Sequence, residues 1–114
     1  MGNPKKITVH FKSAEQLAEY YLPLLQNGGF FFVTDYAFKL HDEILLKLTL
    51  PDGDTTPVEV AGSIAFMNPT AKAECLHITD KQGAGVALIS PPSYLTARIH
   101  ALLRMHEAMH ATNS

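Results

Sequence analysis

Ile44, Leu46, Leu48 and Leu50 recur at every second position, with Leu45, Lys47 and Thr49 between them, which is the period of a half-buried strand. After the turn sequence Pro51-Asp52-Gly53-Asp54 the alternation resumes, with Val58, Val60, Gly62, Ile64 and Phe66 set against Glu59, Ala61, Ser63 and Ala65. The two stretches predict one long antiparallel hairpin. Gly62 falls where the pattern wants a side chain, so a bulge, a sharp bend or a close backbone approach is expected there. Ile7–Phe11 alternates over a shorter run and predicts an edge strand. Gly28 and Gly29 lead into Phe30–Val33, apolar on both faces. That predicts a central strand with the core on one side and the preceding helix on the other. Gly83–Ile89 predicts a further strand, and Glu74–Ile78 is a candidate for one more.

Two segments change to helical period. Ser13 followed by Gln16 reads as a capping box, and Leu17, Tyr20, Tyr21, Leu24 and Leu25 share one helical face. Pro23 removes a hydrogen bond and pushes Leu22 toward extended geometry, so this helix should stop near Tyr21 and leave Leu24 and Leu25 in a loop. At the other end, Pro91 and Pro92 suit a first helical turn, and Leu95, Ile99, Leu102, Leu103 and His106 mark one face of a terminal helix. Five or six short strands framed by two helices predict a mainly-β fold, a small antiparallel barrel with helical decoration.

A length of 114 residues suits a single domain. Nine Lys and Arg against eleven Asp and Glu leave no basic footprint for nucleic acid or an anionic membrane. Proteins or small molecules are the expected partners. One cysteine, Cys75, fits a reducing compartment, and the N-terminal stretch lacks the apolar core of a signal peptide. The expected location is cytoplasmic, with no direct membrane insertion, because no apolar run reaches membrane-spanning length.

Near the C-terminus, His106, Glu107 and His110 stand in the His-Glu-x-x-His spacing of zinc proteases, which on a helix sets two imidazoles one turn apart beside a carboxylate. A zinc site wants a third ligand. His100 is six residues before His106 and therefore about 120° away around a helix, and nothing local brings His10, His41 or His77 near. The pair is better read as helix-end residues that interact with the negative end of the dipole, with adventitious metal capture ranking above catalysis. Asp42 with Glu43 and Asp52 with Asp54 read as ordinary surface carboxylates, and Cys75 as a small buried apolar residue. No catalytic constellation and no cofactor follow from these residues.

Taken in order, YLPLLQNGGFFFVT, LHDEILLKLTLPD, VEVAGSIAFMNP and GAGVALI resemble the consecutive motifs of PilZ domains, specifically the stand-alone type associated with type IV pilus assembly. The resemblance runs from about Tyr20 to Ile89. It implies a six-stranded antiparallel barrel with a core over about 28–89, an N-terminal helix and a C-terminal helix over about 92–110, all within one domain spanning 1–114. PilZ domains at large are receptors for cyclic di-GMP, held by an Arg-x-x-x-Arg segment and an (Asp/Asn)-x-Ser-x-x-Gly segment. Guanidinium forks can pair bidentately with guanine edges and phosphates. This chain departs from both motifs, since Arg98 and Arg104 are its two arginines, both beyond the barrel, and LLQNGGFF occupies the second motif's place. His41 stands where the family usually has Gly, and His tolerates a left-handed turn better than most residues.

The pilus-assembly type shares the loss of those motifs and the Tyr-x-Pro stretch. Its members are adaptors that associate with the pilus-extension ATPase PilB and, in some bacteria, with the EAL-domain regulator FimX. The resemblance therefore implies a non-enzymatic adaptor in type IV pilus biogenesis and twitching motility. It places the ATPase contact at Tyr21, with Leu22 and Pro23 beside it, and suggests Tyr20, Phe30 and Phe31 as further aromatic anchors. A second reading keeps direct cyclic di-GMP reception through Lys5, Lys6 and Lys12, whose point charges cannot reproduce an arginine fork.

Overall fold

A computed structural model describes residues 5–74 and 76–111. It is mainly β: a curled, half-barrel sheet of five strands with two helices. In chain order these are β1 (Lys5–His10), α1 (Ala14–Tyr20), β2 (Gly29–Val33), β3 (Glu43–Thr49), β4 (Val58–Asn68), β5 (Gly83–Ile89) and α2 (Ser93–Ala111). The strand order is β1-β3-β4-β5-β2, antiparallel throughout except that β1 lies parallel to β3. The inward residues of the sheet meet Leu17 of α1 and Leu95, Ile99 and Leu102 of α2 in one buried cluster.

Local chemistry places the short helix. The Ser13 hydroxyl accepts from the Gln16 N–H at 3.1 Å, and the Gln16 side chain accepts from the Lys12 N–H at 2.7 Å, satisfying two backbone donors at the helix start. Tyr21 still donates to the Leu17 carbonyl at 3.0 Å, but its backbone is extended, so the helix stops two residues before Pro23. The hairpin forms as its alternation predicts, pairing Glu43 with Ser63 through Leu48 with Val58. His41 adopts φ 70°, a left-handed conformation, at the approach to β3.

Several expectations are corrected by non-local contacts. β2 is an edge strand rather than a central one. Its inward side chain Phe30 joins the main core, while Phe31 points the other way and stacks on Phe66 at 6.0 Å, with the 3-10 turn Ile78–Asp80 against the strand. Phe66 reaches that face because the β4–β5 register shifts between Ile64 and Phe66. A bulge at Ala65 therefore moves Phe66 off the face of Val58, Val60 and Ile64, where strict alternation would put it. At Gly62 the close approach, one of the three outcomes expected there, is what forms, since a Cβ would lie 2.5 Å from Val86 Cγ1 and 3.3 Å from the Ala87 carbonyl oxygen.

No strand forms over Glu74–Ile78 among the described residues, and Cys75 lies outside them. The Asp80 carboxylate accepts from the Leu76 and His77 N–H groups at 3.2 and 3.0 Å, which bends this segment into a turn. The Asn68 amide ties it down by donating to the Thr79 carbonyl. The sheet described here thus has five strands, not six, and one of its pairings is parallel.

Asp52, read from sequence as an ordinary turn carboxylate, anchors α2. Arg98 donates to both its carboxylate oxygens at 2.7 Å and to the Asp54 carbonyl at 3.2 Å. Hydrogen bonding by Arg98 holds the Asp52 carboxyl below its usual range. Its folded pKa therefore lies below the unfolded one. The stabilisation is full above the ordinary carboxylate value of about 3.9 and is lost as pH falls through the folded value. The two side chains are 20% and 22% exposed, so the pair contributes about 1 kcal/mol at most. Asp52→Asn is expected to lower the melting temperature at pH 7 and to differ less from the parent at about pH 3. A gap of equal size in thermal melts at both pH values would refute the assignment.

Candidate functional site

The surface around Tyr21 is built by the stop of α1 and the turn that follows. Asn27 and Gly28 take consecutive left-handed conformations, φ 64° and 74°, and the Gly28 N–H donates to the Leu25 carbonyl at 2.8 Å. This tight turn reverses the chain so that Tyr21 forms an isolated bridge with Phe30 and Leu22 donates to the Gly29 carbonyl at 2.8 Å. The Tyr21 ring meets Phe30 edge-on at 5.5 Å and lies against Gly28, where a Cβ would be 3.0 Å from its Cε1 and closer still to its hydroxyl. Gly28 thus serves the ring as well as the turn.

Tyr21 forms a wall between two surface grooves. One, of about 570 Å³, includes Leu22, Leu76, His77 and Lys81. The other, of about 480 Å³, includes Pro23, Leu25, Ser90, Pro91 and His100. Burial raises the Tyr21 phenol above its ordinary pKa, so it is neutral near pH 7 and presents a hydrogen-bonding hydroxyl beside an apolar ring. Leu24 is 98% exposed and Leu76 is 77% exposed. The arrangement offers apolar and aromatic surface, two imidazoles and a phenol.

The aromatic residues suggested by sequence divide between surface and core. Tyr21 and Leu22 are half-buried and Pro23 is exposed, all on this surface. Tyr20 is half-buried and turns toward Phe11, with ring centroids 6.5 Å apart. Phe30 and Phe31 are both 0% exposed, one on each face of β2, and cannot be reached as anchors by a partner docking on this fold. Strand alternation buries both because each face of β2 is covered, which the run of phenylalanines already required. Leu76 was missed by sequence reasoning because its exposure depends on the turn set by Asp80.

Of the cations considered for a dinucleotide, Lys12 is exposed, while two lysines and one arginine make contacts of their own. Lys5 lies over the Tyr36 ring at 3.9 Å, Lys6 pairs with Glu59 at 3.1 Å, and Arg98 is held by Asp52. On α2, His106 is half-buried and Glu107 exposed, and the His110 side chain lies outside what the structure describes. Among the described residues no group of three or more His, Cys, Asp and Glu side chains is placed to hold a metal ion, and no helix is long and apolar enough to cross a membrane. No protein-family model matches the chain, and no curated protein matches it.

Proposed function

We propose that this chain is an atypical PilZ domain acting in the cytoplasm as a non-enzymatic adaptor of type IV pilus assembly, by binding the pilus-extension ATPase through the surface around Tyr21. The observation that carries the reading is the placement of Tyr21, within the stretch YYLPLLQNGGFFF, as a neutral phenol dividing two grooves and flanked by exposed leucines. Aromatic residues set in a partly desolvated surface are the usual anchors of protein interfaces. An EAL-domain regulator is the second partner this reading allows. Direct reception of cyclic di-GMP is disfavoured, because Lys6 and Arg98 are already ion-paired with Glu59 and Asp52, and the point charges of Lys5 and Lys12 cannot reproduce an arginine fork.

Tyr21→Ala is a poor probe by itself, since it also strips an edge contact from Phe30. Leu24→Asp and Leu76→Asp are cleaner, because both side chains are exposed and their replacement leaves the core intact. In calorimetric titrations against the purified pilus-extension ATPase, Leu76→Asp is expected to weaken binding about tenfold or more with the melting temperature unchanged. Parental affinity in both aspartate variants would overturn the assignment, as would saturable micromolar binding of cyclic di-GMP by the parent protein.

A further inference from the structure

β1 and β2 are the two ends of the curled sheet, and the pairing pattern makes them run in opposite directions. They face one another across a seam. One end of the seam is closed by Phe11 against Phe30 at 5.2 Å and by the Tyr21 bridge to Phe30. At the other end Lys5 reaches across from β1 to the Tyr36 ring, 3.9 Å away. Between these ends lies a groove of about 590 Å³ with Ile7, Val9, Tyr20, Phe32, Val33 and Tyr36 among its walls. Val33 is 53% exposed and Tyr36 51% exposed.

The free edge of β2 can be read from its hydrogen bonds. Leu88 donates to the Gly28 carbonyl and Thr34 donates to the Gln82 carbonyl, so even-numbered residues bond toward β5. Odd-numbered residues face outward, and Gly29 does so in accepting from Leu22. Val33 therefore presents its N–H and C=O to the seam, with no hydrogen-bond partner there among the described residues. An edge of this kind, beside a groove walled by apolar and aromatic side chains, is a template for strand addition.

We propose that the seam receives an extended segment of a partner protein, apolar at alternate positions and acidic at its N-terminal end, running antiparallel to β2. The charge pattern selects this occupant. A strand antiparallel to β2 begins at the end where Lys5 stands, and Lys5 forms no ion pair among the described residues, being held by a ring alone. The neighbouring Lys6 already holds a carboxylate, that of Glu59. Asp35 lies on the opposite wall, so the carboxylate of the incoming strand belongs on the β1 side. A second copy of β1 would instead bring Lys5 and Lys6 against their own counterparts, the arrangement by which edge lysines discourage self-pairing. This proposal stands apart from the Tyr21 surface, and its test uses no pilus protein.

The probe is a blocked hexapeptide of glutamate followed by alternating valine and threonine, titrated into the full chain while backbone amide resonances are followed by NMR. Saturable shifts are expected at Val33 and Lys5. Lys5→Glu should weaken binding about fivefold, and a lysine-for-glutamate peptide should recover it on that variant. Val33→Pro removes an outward N–H without touching the β5 ladder, and should abolish binding while α2 amides keep their parental shifts. Absence of saturation at millimolar peptide would overturn the proposal. So would affinity indifferent to both charge reversals, or a dimer of the chain that shifts the same amides without peptide.

Discussion

Phe30→Ala is expected to remove about 3–5 kcal/mol of unfolding free energy, the range for truncating a fully buried aromatic residue. Phe30 is 0% exposed, and its ring lies 5.2 Å from Phe11, 5.5 Å from Tyr21 and 6.4 Å from Phe32. Those neighbours come from the segment after β1, from the stop of α1 and from β2 itself. Truncation would therefore leave a cavity where three segments converge, and the surrounding strands have little freedom to collapse into it. A domain of this size is stable by about 5–15 kcal/mol, so the variant should sit near the edge of folding. Urea unfolding followed by circular dichroism measures the loss, and a change below about 1 kcal/mol would contradict the packing described.

Gly85→Val is the second large expected effect, at about 2–3 kcal/mol. Gly85 pairs with Phe31 on one side and Phe66 on the other, and the two rings stack on each other at the position where its side chain would stand. A Cβ there would lie 2.7 Å from Phe66 Cδ1 and closer to other ring atoms. Because the obstruction is a ring, the cost should depend on it. In a Phe66→Ala background, the penalty of Gly85→Val is expected to fall by about 1 kcal/mol or more. Additive losses in that double-mutant cycle would show that Gly85 is constrained by backbone geometry rather than by the ring.

Much of this architecture is readable in the sequence, and the readable parts share a cause. Ser13, Gln16 and Pro23 set the bounds of α1 through bonds and clashes within a few residues of each other. The β3–β4 hairpin follows from a two-residue period interrupted by turn formers. The terminal helix follows from the spacing of Leu95, Ile99 and Leu102, all of which are buried. Tyr21 could be picked out from its sequence setting, although the ring's seat against Gly28 could not.

The features that escaped sequence reading are those decided by residues far apart in the chain. Asp52 and Arg98 are 46 residues apart, and nothing local marks a turn carboxylate as an anchor for a helix. Exposure likewise separates Tyr21 from Phe30 and Phe31, three aromatics that look alike in a one-dimensional pattern.

By itself, then, the sequence determined where helices start and stop, which segments are extended and which positions are apolar, because those properties arise from backbone sterics, capping bonds and side-chain period over short range. Tertiary structure alone decided that β1 pairs parallel to β3, that β2 becomes an edge, and that the Ala65 bulge sends Phe66 to meet Phe31. Strand partners and bulges are chosen by the total packing of both sheet faces, and that sum exists only once the distant segments have met.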